Sequence, residues 1–228
     1  MFVDARQITG VSAWLKPFKF FVSLGIYSLS IAWLGGMLID ADKALRIISW
    51  ATVGMVVIEM SFIVLQAVRG IPSHFNVTSA FNGTVYSIMG GTITISTCFL
   101  LWFGYLFFTN SAQQIPPAFL WGIRLGILFT VIGGMQGFVM GANMAHTVGA
   151  PDGGAGLPIL NWSTSHGDLR IAHAIGLHSL QVLPLAGFMI SQYVSPAASW
   201  LTLLASVGYG GVFAWVLVNA LKGKALFS

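Results

Sequence analysis

The chain has 228 residues, of which 56% are hydrophobic and only 7% are charged. Soluble domains carry roughly 25% charged residues, so this composition excludes an ordinary soluble domain and is typical of a chain surrounded by lipid. The net charge of +4 comes without a basic patch interleaved with aromatic residues, which argues against nucleic-acid binding. The one cysteine, Cys98, excludes an intrachain disulfide and a cysteine-rich metal site.

Residues 1–17 mix polar and apolar side chains, and we interpret them as a short interfacial segment on the membrane surface. Six apolar stretches follow, each close to or above the length of about 20 residues that a helix needs to cross the hydrocarbon core. Their continuous apolar character favours helices over barrel strands, which alternate. The sequence therefore predicts an all-α fold, a single domain over residues 1–228 with six transmembrane helices. The predicted spans are residues 18–39, 47–68, 84–109, 118–141, 171–194 and 197–221.

An even number of spans places both termini on one side of the membrane. Seven lysine and arginine residues flank the spans on that side, against three on the other side. By the positive-inside rule we expect both termini in the cytoplasm of a bacterial cell, with the protein in the inner membrane. The seven are Arg6, Lys16, Lys19, Arg69, Arg170, Lys222 and Lys224, and the three are Lys43, Arg46 and Arg124.

The two longer loops, residues 69–83 and 143–170, lie on the side of the termini. The second loop is rich in glycine and proline from Pro151 to Pro158, which indicates turns rather than helix. Its apolar residues, Trp162 among them, provide anchors, and a loop of this length is usually functional or disordered. We therefore expect residues 143–170 to form an ordered flap that folds back onto the bundle.

Polar side chains recur at one level of the predicted bundle. Glu59, Gln136 and His178 each lie ten residues from a polar residue at the terminus-side surface, which places them about 15 Å below it. Gln181 lies about one turn beyond His178 on the same helix face. An ionisable group at this depth normally faces the bundle and has a partner. We therefore expect Glu59 and His178 to form a coupled pair; the alternative is a polar clamp that only sets helix register.

The histidines are confined to one side of the chain. All five lie on the terminus side or point inward from it: His74, His146, His166, His173 and His178. His173 and His178 lie about 140° apart around their helix, so one ion between them would require a helix distortion. Imidazole and carboxylate groups together suit haem iron, a non-haem metal ion, a quinone pocket or a proton relay. The residue types alone do not distinguish these chemistries.

Our first hypothesis is a redox or metal-centred membrane protein that holds haem b or a transition metal near one leaflet. The candidate cofactor-binding residues are His74, His146, His173 and His178, the metal ligands being drawn from His178, His173 and His74, with His166 as a further candidate from the flap. The residues expected to orient these ligands or to relay protons are Glu59, Gln136, Gln181, Asp168 and Arg170.

Two other classes of function remain open. One is a proton-coupled transporter or channel for a small solute, which would use the same histidine and carboxylate groups as a relay. The other is an accessory subunit of a membrane complex without chemistry of its own. The expected partners are the lipid bilayer and either a second copy of the chain or a membrane-complex partner.

Glycines recur every four residues in the fourth span, at Gly133, Gly137 and Gly141, and earlier at Gly122 and Gly126. Small residues at this spacing let another helix approach closely. The sequence therefore predicts a tight helix crossing on this face, and the same stripe would serve a dimer.

Three motifs resemble a family of bacterial multi-pass membrane proteins whose activity is uncharacterised. They are Arg69-Gly70 with Ser73-His74-Phe75-Asn76, the loop of residues 145–154, and Gly167-Asp168-Leu169-Arg170-x-x-His173-x-x-x-x-His178-x-x-Gln181. The resemblance implies no particular activity. It singles out the same histidine, aspartate and arginine residues as the reasoning above.

Overall fold

The computed structural model describes residues 4–110 and 115–227. Within them, six helices are long and apolar enough to cross a membrane, which confirms the predicted all-α bundle. The helices are α1 Leu15–Gly35, α2 Asp42–Val68, α3 Ala80–Thr109, α4 Pro117–Asn143, α5 Leu169–Tyr193 and α6 Ser199–Leu221. Two short hairpins pair β1 Gln7–Ile8 with β2 Val11–Ser12, and β3 Thr147–Val148 with β4 Gly167–Asp168. Residues 1–3 of the predicted interfacial segment and residues 111–114 of one predicted loop lie outside the described residues.

Two helices that begin before their predicted spans, α3 and α5, are capped by polar side chains. α3 begins at Ala80, four residues before the predicted span, and the Ser79 hydroxyl accepts a hydrogen bond from the Asn82 amide at 3.3 Å. α5 begins at Leu169, and the Asp168 carboxylate accepts from the Arg170 amide at 2.9 Å. Such caps satisfy amide groups that the first turn of a helix leaves without partners.

The first five helices form a ring. Each of α1 to α4 packs against the next helix in the chain, and a thinner α1–α5 contact closes the circle. α6 packs against α4 and α5 on the outside of the ring. The largest apolar cluster, with Leu34, Phe103 and Ile123, fills the end away from the termini. A smaller one, with Ile63 and Met89, lies nearer the termini.

The tightest contact in the bundle is the crossing of α4 and α5. A Cβ atom added to Gly133 would lie 2.5 Å from the Cα atom of Gly176, closer than real side chains approach. A Cβ atom on Gly122 would lie 2.4 Å from the Leu183 carbonyl oxygen. The prediction of a close crossing on this glycine face is confirmed, and the partner helix is α5 of the same chain.

Gly137 and Gly141, at the end of the stripe on the terminus side, have different neighbours. Gly137 faces the His173 ring, whose Cε1 atom would lie 3.5 Å from an added Cβ atom. Gly141 faces the Tyr86 hydroxyl at 3.3 Å. The end of the stripe near the termini therefore gives space to side chains rather than to a helix backbone.

Gly133→Ala is expected to destabilise the bundle by about 1–3 kcal/mol, because the new methyl group has no space between two helix backbones. Gly134→Ala is the matched control, since its Cβ atom would meet only the Thr97 hydroxyl oxygen at 4.0 Å. Thermal denaturation of the two variants in one detergent makes the comparison. Equal melting temperatures would contradict the close crossing.

Candidate functional site

A cavity of about 750 Å³ lies at the terminus side of the bundle. The β1–β2 hairpin, the start of α1, the loop between α2 and α3, and the flap of residues 143–170 enclose it. His74, His146 and His166 line its walls, together with Lys16 and Arg170. The volume falls in the range of about 300–1,000 Å³ that is usual for sites of small molecules and cofactors.

The flap is ordered, as expected, and one carboxylate holds its first half. Asp152 accepts hydrogen bonds from the His146 amide at 3.1 Å, the Thr147 amide at 2.9 Å and the His146 ring Nδ1 at 2.6 Å. Burial alone would raise the pKa of Asp152, but the hydrogen bonds from His146 and Thr147 outweigh it and hold this pKa well below its usual range.

A second carboxylate holds the end of the flap. Asp168 is fully buried, accepts from the Ser163 amide at 2.7 Å and pairs with the Arg170 guanidinium at 2.6 Å. Arg170 also donates to the Asn161 carbonyl oxygen. Asp168 and Arg170, predicted to orient ligands or to relay protons, thus fold the flap around the cavity, and Arg170 also lines it.

The segment predicted to be interfacial forms the β1–β2 hairpin, which covers the cavity beside the flap. Arg6 ties the hairpin to the bundle by donating to the Val68 carbonyl oxygen at 2.6 Å. At Gly10 (φ +78°), an added Cβ atom would lie 3.1 Å from the Gly153 carbonyl oxygen of the flap. Hairpin and flap therefore meet backbone to backbone. The position of this segment at the membrane surface stays a prediction.

His173 is the histidine most firmly oriented by the helix bundle. Its Nδ1 atom lies 2.7 Å from the Gly133 carbonyl oxygen, across the α4–α5 crossing. A carbonyl oxygen only accepts, so Nδ1 carries the proton and Nε2 keeps its lone pair. No described residue hydrogen-bonds that Nε2 atom.

His146 is arranged in the same way, and His74 also has its Nδ1 atom beside a polar group, a hydroxyl that can donate or accept. His146 donates from Nδ1 to the Asp152 carboxylate, and the Nδ1 atom of His74 lies 3.1 Å from the Ser73 hydroxyl oxygen. The Phe75 ring contacts both imidazoles, with centroid distances of 4.9 Å to His146 and 6.2 Å to His74. In both histidines Nδ1 is engaged, and no described residue hydrogen-bonds Nε2.

Burial keeps the loop imidazoles neutral. The pKa of His74 lies well below its usual value, first because the ring is desolvated and then because the positive charge of Lys16, and of His146 or His173 when either is protonated, opposes its protonation. Burial also lowers the pKa of His146, although the hydrogen bond to Asp152 acts in the opposite direction. Neutral imidazole is the form that binds metal ions.

The predicted pair of Glu59 and His178 is not formed. His178 is exposed on the outside of α5, and its Nδ1 atom lies 3.2 Å from Oε1 of Gln181, on the same helix. Gln181 in turn donates to the Ser30 hydroxyl of α1 at 2.7 Å. The reason is the rotation of α5: Gly176 must face α4, and a residue two positions later points about 200° away from it.

Two predicted polar residues are buried without partners. Glu59 is 1% exposed and Gln136 is 4% exposed. The Oε1 atom of Glu59 and both side-chain polar atoms of Gln136 have no hydrogen-bond partner among the described residues.

The remaining candidate, His166, lines the cavity with its Nδ1 atom 2.9 Å from the Ser165 hydroxyl oxygen. The structure thus brings His74, His146 and His166 into the cavity wall. His173 is not one of the residues that line the cavity, and its ring lies against Gly137 of α4. His178 lies apart from them. Among the described residues, no group of three or more histidine, cysteine, aspartate or glutamate side chains is spaced to hold one metal ion.

Sequence reasoning missed the roles of Asp152 and Lys16. Asp152 lies in a Pro-Asp-Gly-Gly segment, whose composition predicts a turn but does not indicate which groups its carboxylate binds. Lys16 contributes to the charge asymmetry that predicts topology, and it also lines the cavity. No family model, curated protein or solved structure matches this chain. The family resemblance in the three motifs stays a prediction.

Asp152→Asn is expected to loosen the flap by about 1–3 kcal/mol, because amides that the carboxylate now satisfies lose a charged acceptor. Hydrogen exchange followed by mass spectrometry should show faster exchange at His146 and Thr147. Asp40→Asn, a change of an exposed aspartate at the other end of the bundle, is the control. Unchanged protection of the flap in Asp152→Asn would contradict the role of this carboxylate.

Acid is expected to open the cavity. In an open loop His74 takes up a proton near pH 6.5, whereas in the closed cavity its pKa is well below that value. The open form therefore binds more protons, and the closed form loses stability as the pH falls below about 6.5. The amide hydrogen-exchange rates of the flap, corrected for their intrinsic pH dependence, should rise as the pH falls from 7.5 to 5.5. The rise should be smaller in His74→Phe. An equal rise in both proteins would contradict the assignment to His74.

Proposed function

We propose that this chain is a bacterial inner-membrane protein, with both termini in the cytoplasm, that binds haem b as a redox centre between the cavity lined by His74, His146 and His166 and the neighbouring His173. The observation that carries the proposal is the anchoring of His173. Its Nδ1–H donates to the Gly133 carbonyl oxygen and leaves the Nε2 lone pair available. Metal-bound histidines are typically held in this way by a carbonyl or carboxylate group.

The set of available ligands favours haem over a non-haem metal ion. A zinc, copper or non-haem iron site usually draws three or four ligands from the protein, and the described residues contain no group so spaced. Haem iron receives four nitrogen ligands from the porphyrin and needs only one or two imidazoles. His173 would hold the haem iron together with either His74 or His146.

The other residues of the cavity wall suit the apolar ring and the charged propionates of a haem molecule. Phe20, Ile63 and Phe75 provide apolar and aromatic wall, which suits the porphyrin ring. Lys16 lines the same cavity, and no described carboxylate lies within salt-bridge distance of it. An ammonium group in this position suits a haem propionate.

The chain's own residues would bind the cofactor and exclude water from it. His173 would hold the haem iron from the α4–α5 crossing, while the flap and the β1–β2 hairpin line the cavity above. The haem, when bound, supplies one-electron chemistry. His178, exposed on the outer face of α5, has no place in this arrangement.

A proton-coupled transporter or channel is the second candidate. It is favoured by one observation, the burial of Glu59 and Gln136 without protein partners, because transporters use such groups in the membrane interior as relays. A protein that purifies without colour or metal, and that supports a pH-dependent flux lost in Glu59→Gln, would favour it. A colourless protein without flux would favour the accessory subunit, acting with another copy or a partner complex.

The haem proposal predicts a strong visible absorption spectrum for the protein purified from haem-sufficient cells, with iron confirmed by elemental analysis. His173→Ala should lose this spectrum, because the anchored histidine that would hold the iron is removed. His178→Ala changes an exposed histidine on the outer face of the same helix and should retain it. Loss of the spectrum in His178→Ala with retention in His173→Ala would overturn the assignment.

A further inference from the structure

The middle of the five-helix ring contains polar groups that nothing in the described protein satisfies. They are Oε1 of Glu59 and both side-chain polar atoms of Gln136, on side chains that are 1% and 4% exposed. Buried polar groups in folded proteins nearly always have partners, and where the protein supplies none, internal water often does. Three such atoms on α2 and α4 therefore need an explanation beyond packing.

The two residues lie at similar depths along their helices: Glu59 is nine residues before the end of α2 and Gln136 is seven residues before the end of α4, which is about 14 Å and about 11 Å from those ends. Glu59 precedes Ile63 by one helical turn, and Ile63 lines the cavity wall, so Glu59 lies about 6 Å deeper along α2. Gln136 lies one turn from Gly133, whose carbonyl oxygen holds His173. Each is thus one turn from a feature of the histidine site.

Apolar packing bounds this level on both sides. The cluster containing Ile63 and Met89 lies above it, and the larger cluster containing Leu34 and Phe103 lies below. Water in this level is therefore enclosed by the ring, with the nearest exit through the cavity.

We infer that Glu59 and Gln136 line an internal hydrated layer, in which Glu59 binds one exchangeable proton. The ligands of this site are water molecules and a proton, and the site does not depend on the haem. Water donates to the unpartnered oxygen atoms and accepts from the Gln136 amide, which satisfies all three atoms. The proton on the carboxyl group removes the need to bury an unpaired negative charge.

The charged surroundings agree with a neutral carboxylic acid. Within the described residues, Lys16 at the cavity is the one charged group whose field acts on Glu59, and no salt bridge joins the two. The neighbouring helices α1 and α3 contain no carboxylate, and the further cation of α1, Lys19, donates to the Leu160 carbonyl oxygen of the flap at 3.0 Å. Lys16 and His74 lie where a proton would enter from the cavity.

The composition of the chain provides a direct test, because Glu59 is its only glutamate. Protein labelled with ¹³C in the glutamate side-chain carboxyl group, reconstituted in lipid at pH 7, is examined by infrared spectroscopy in H₂O and D₂O. We expect the labelled group to absorb as a neutral carboxylic acid and to shift in D₂O, because its proton exchanges through the cavity. Absorption as a carboxylate, or a neutral band that does not shift in D₂O, would overturn the inference.

Two variants test the shared layer. Gln136→Leu should shift the Glu59 band, because water bound between the two groups is lost. Gln181→Leu is the matched control, since Gln181 forms hydrogen bonds with His178 and Ser30 and not with the layer. The Glu59 band of this variant should not move. Equal bands in Gln136→Leu and the wild type would refute the participation of Gln136. These outcomes are independent of haem content, so a colourless protein leaves the test intact.

Discussion

The contact between Gly133 and Gly176 determines where the functional side chains of this bundle point. Two helix backbones approach so closely there that a single methyl group on either residue has no space. This fixes the rotation of α5 about its own axis. His173 is thereby turned towards α4, where it meets the Gly133 carbonyl oxygen, while His178 is turned outward. Sequence spacing places the two histidines on different faces of α5, and this one steric constraint decides which of them faces the bundle.

The loops build on this fixed helix pair. Asp152 holds His146 by its amide and its ring, and Ser73 lies beside His74, so both imidazoles are oriented from outside the bundle. Burial and the charge of Lys16 then keep His74 uncharged, which is reflected in its low pKa. Neutral imidazoles with Nδ1 engaged are ligands in the form that iron accepts. Glu59 lies one helical turn deeper along α2 than Ile63 of the cavity wall. The proposed haem site and the proposed proton-binding site would therefore be neighbours.

The six spans were predictable because continuous apolar runs of this length have only one stable form in lipid. The glycine face was also predictable, because the spacing of residues within one helix can be read directly from the sequence. The pairing of Glu59 with His178 was wrong, because depth along a helix can be counted from sequence but rotation about its axis is set by packing. Asp152 could not be assigned a partner, since its role depends on how a turn places it against the His146 backbone. Lys16 was visible only as a charge near a membrane surface.

The haem proposal depends most on the protonation state and tautomer of the His173 ring. ¹⁵N magnetic resonance of histidine-labelled protein in lipid measures both. The signals of His173 are identified by their loss in His173→Ala. We expect a neutral ring with the proton on Nδ1 at pH 7, and a large change of the Nε2 signal when haem is added. A ring protonated on Nε2, or an Nε2 signal unchanged by haem, would contradict it.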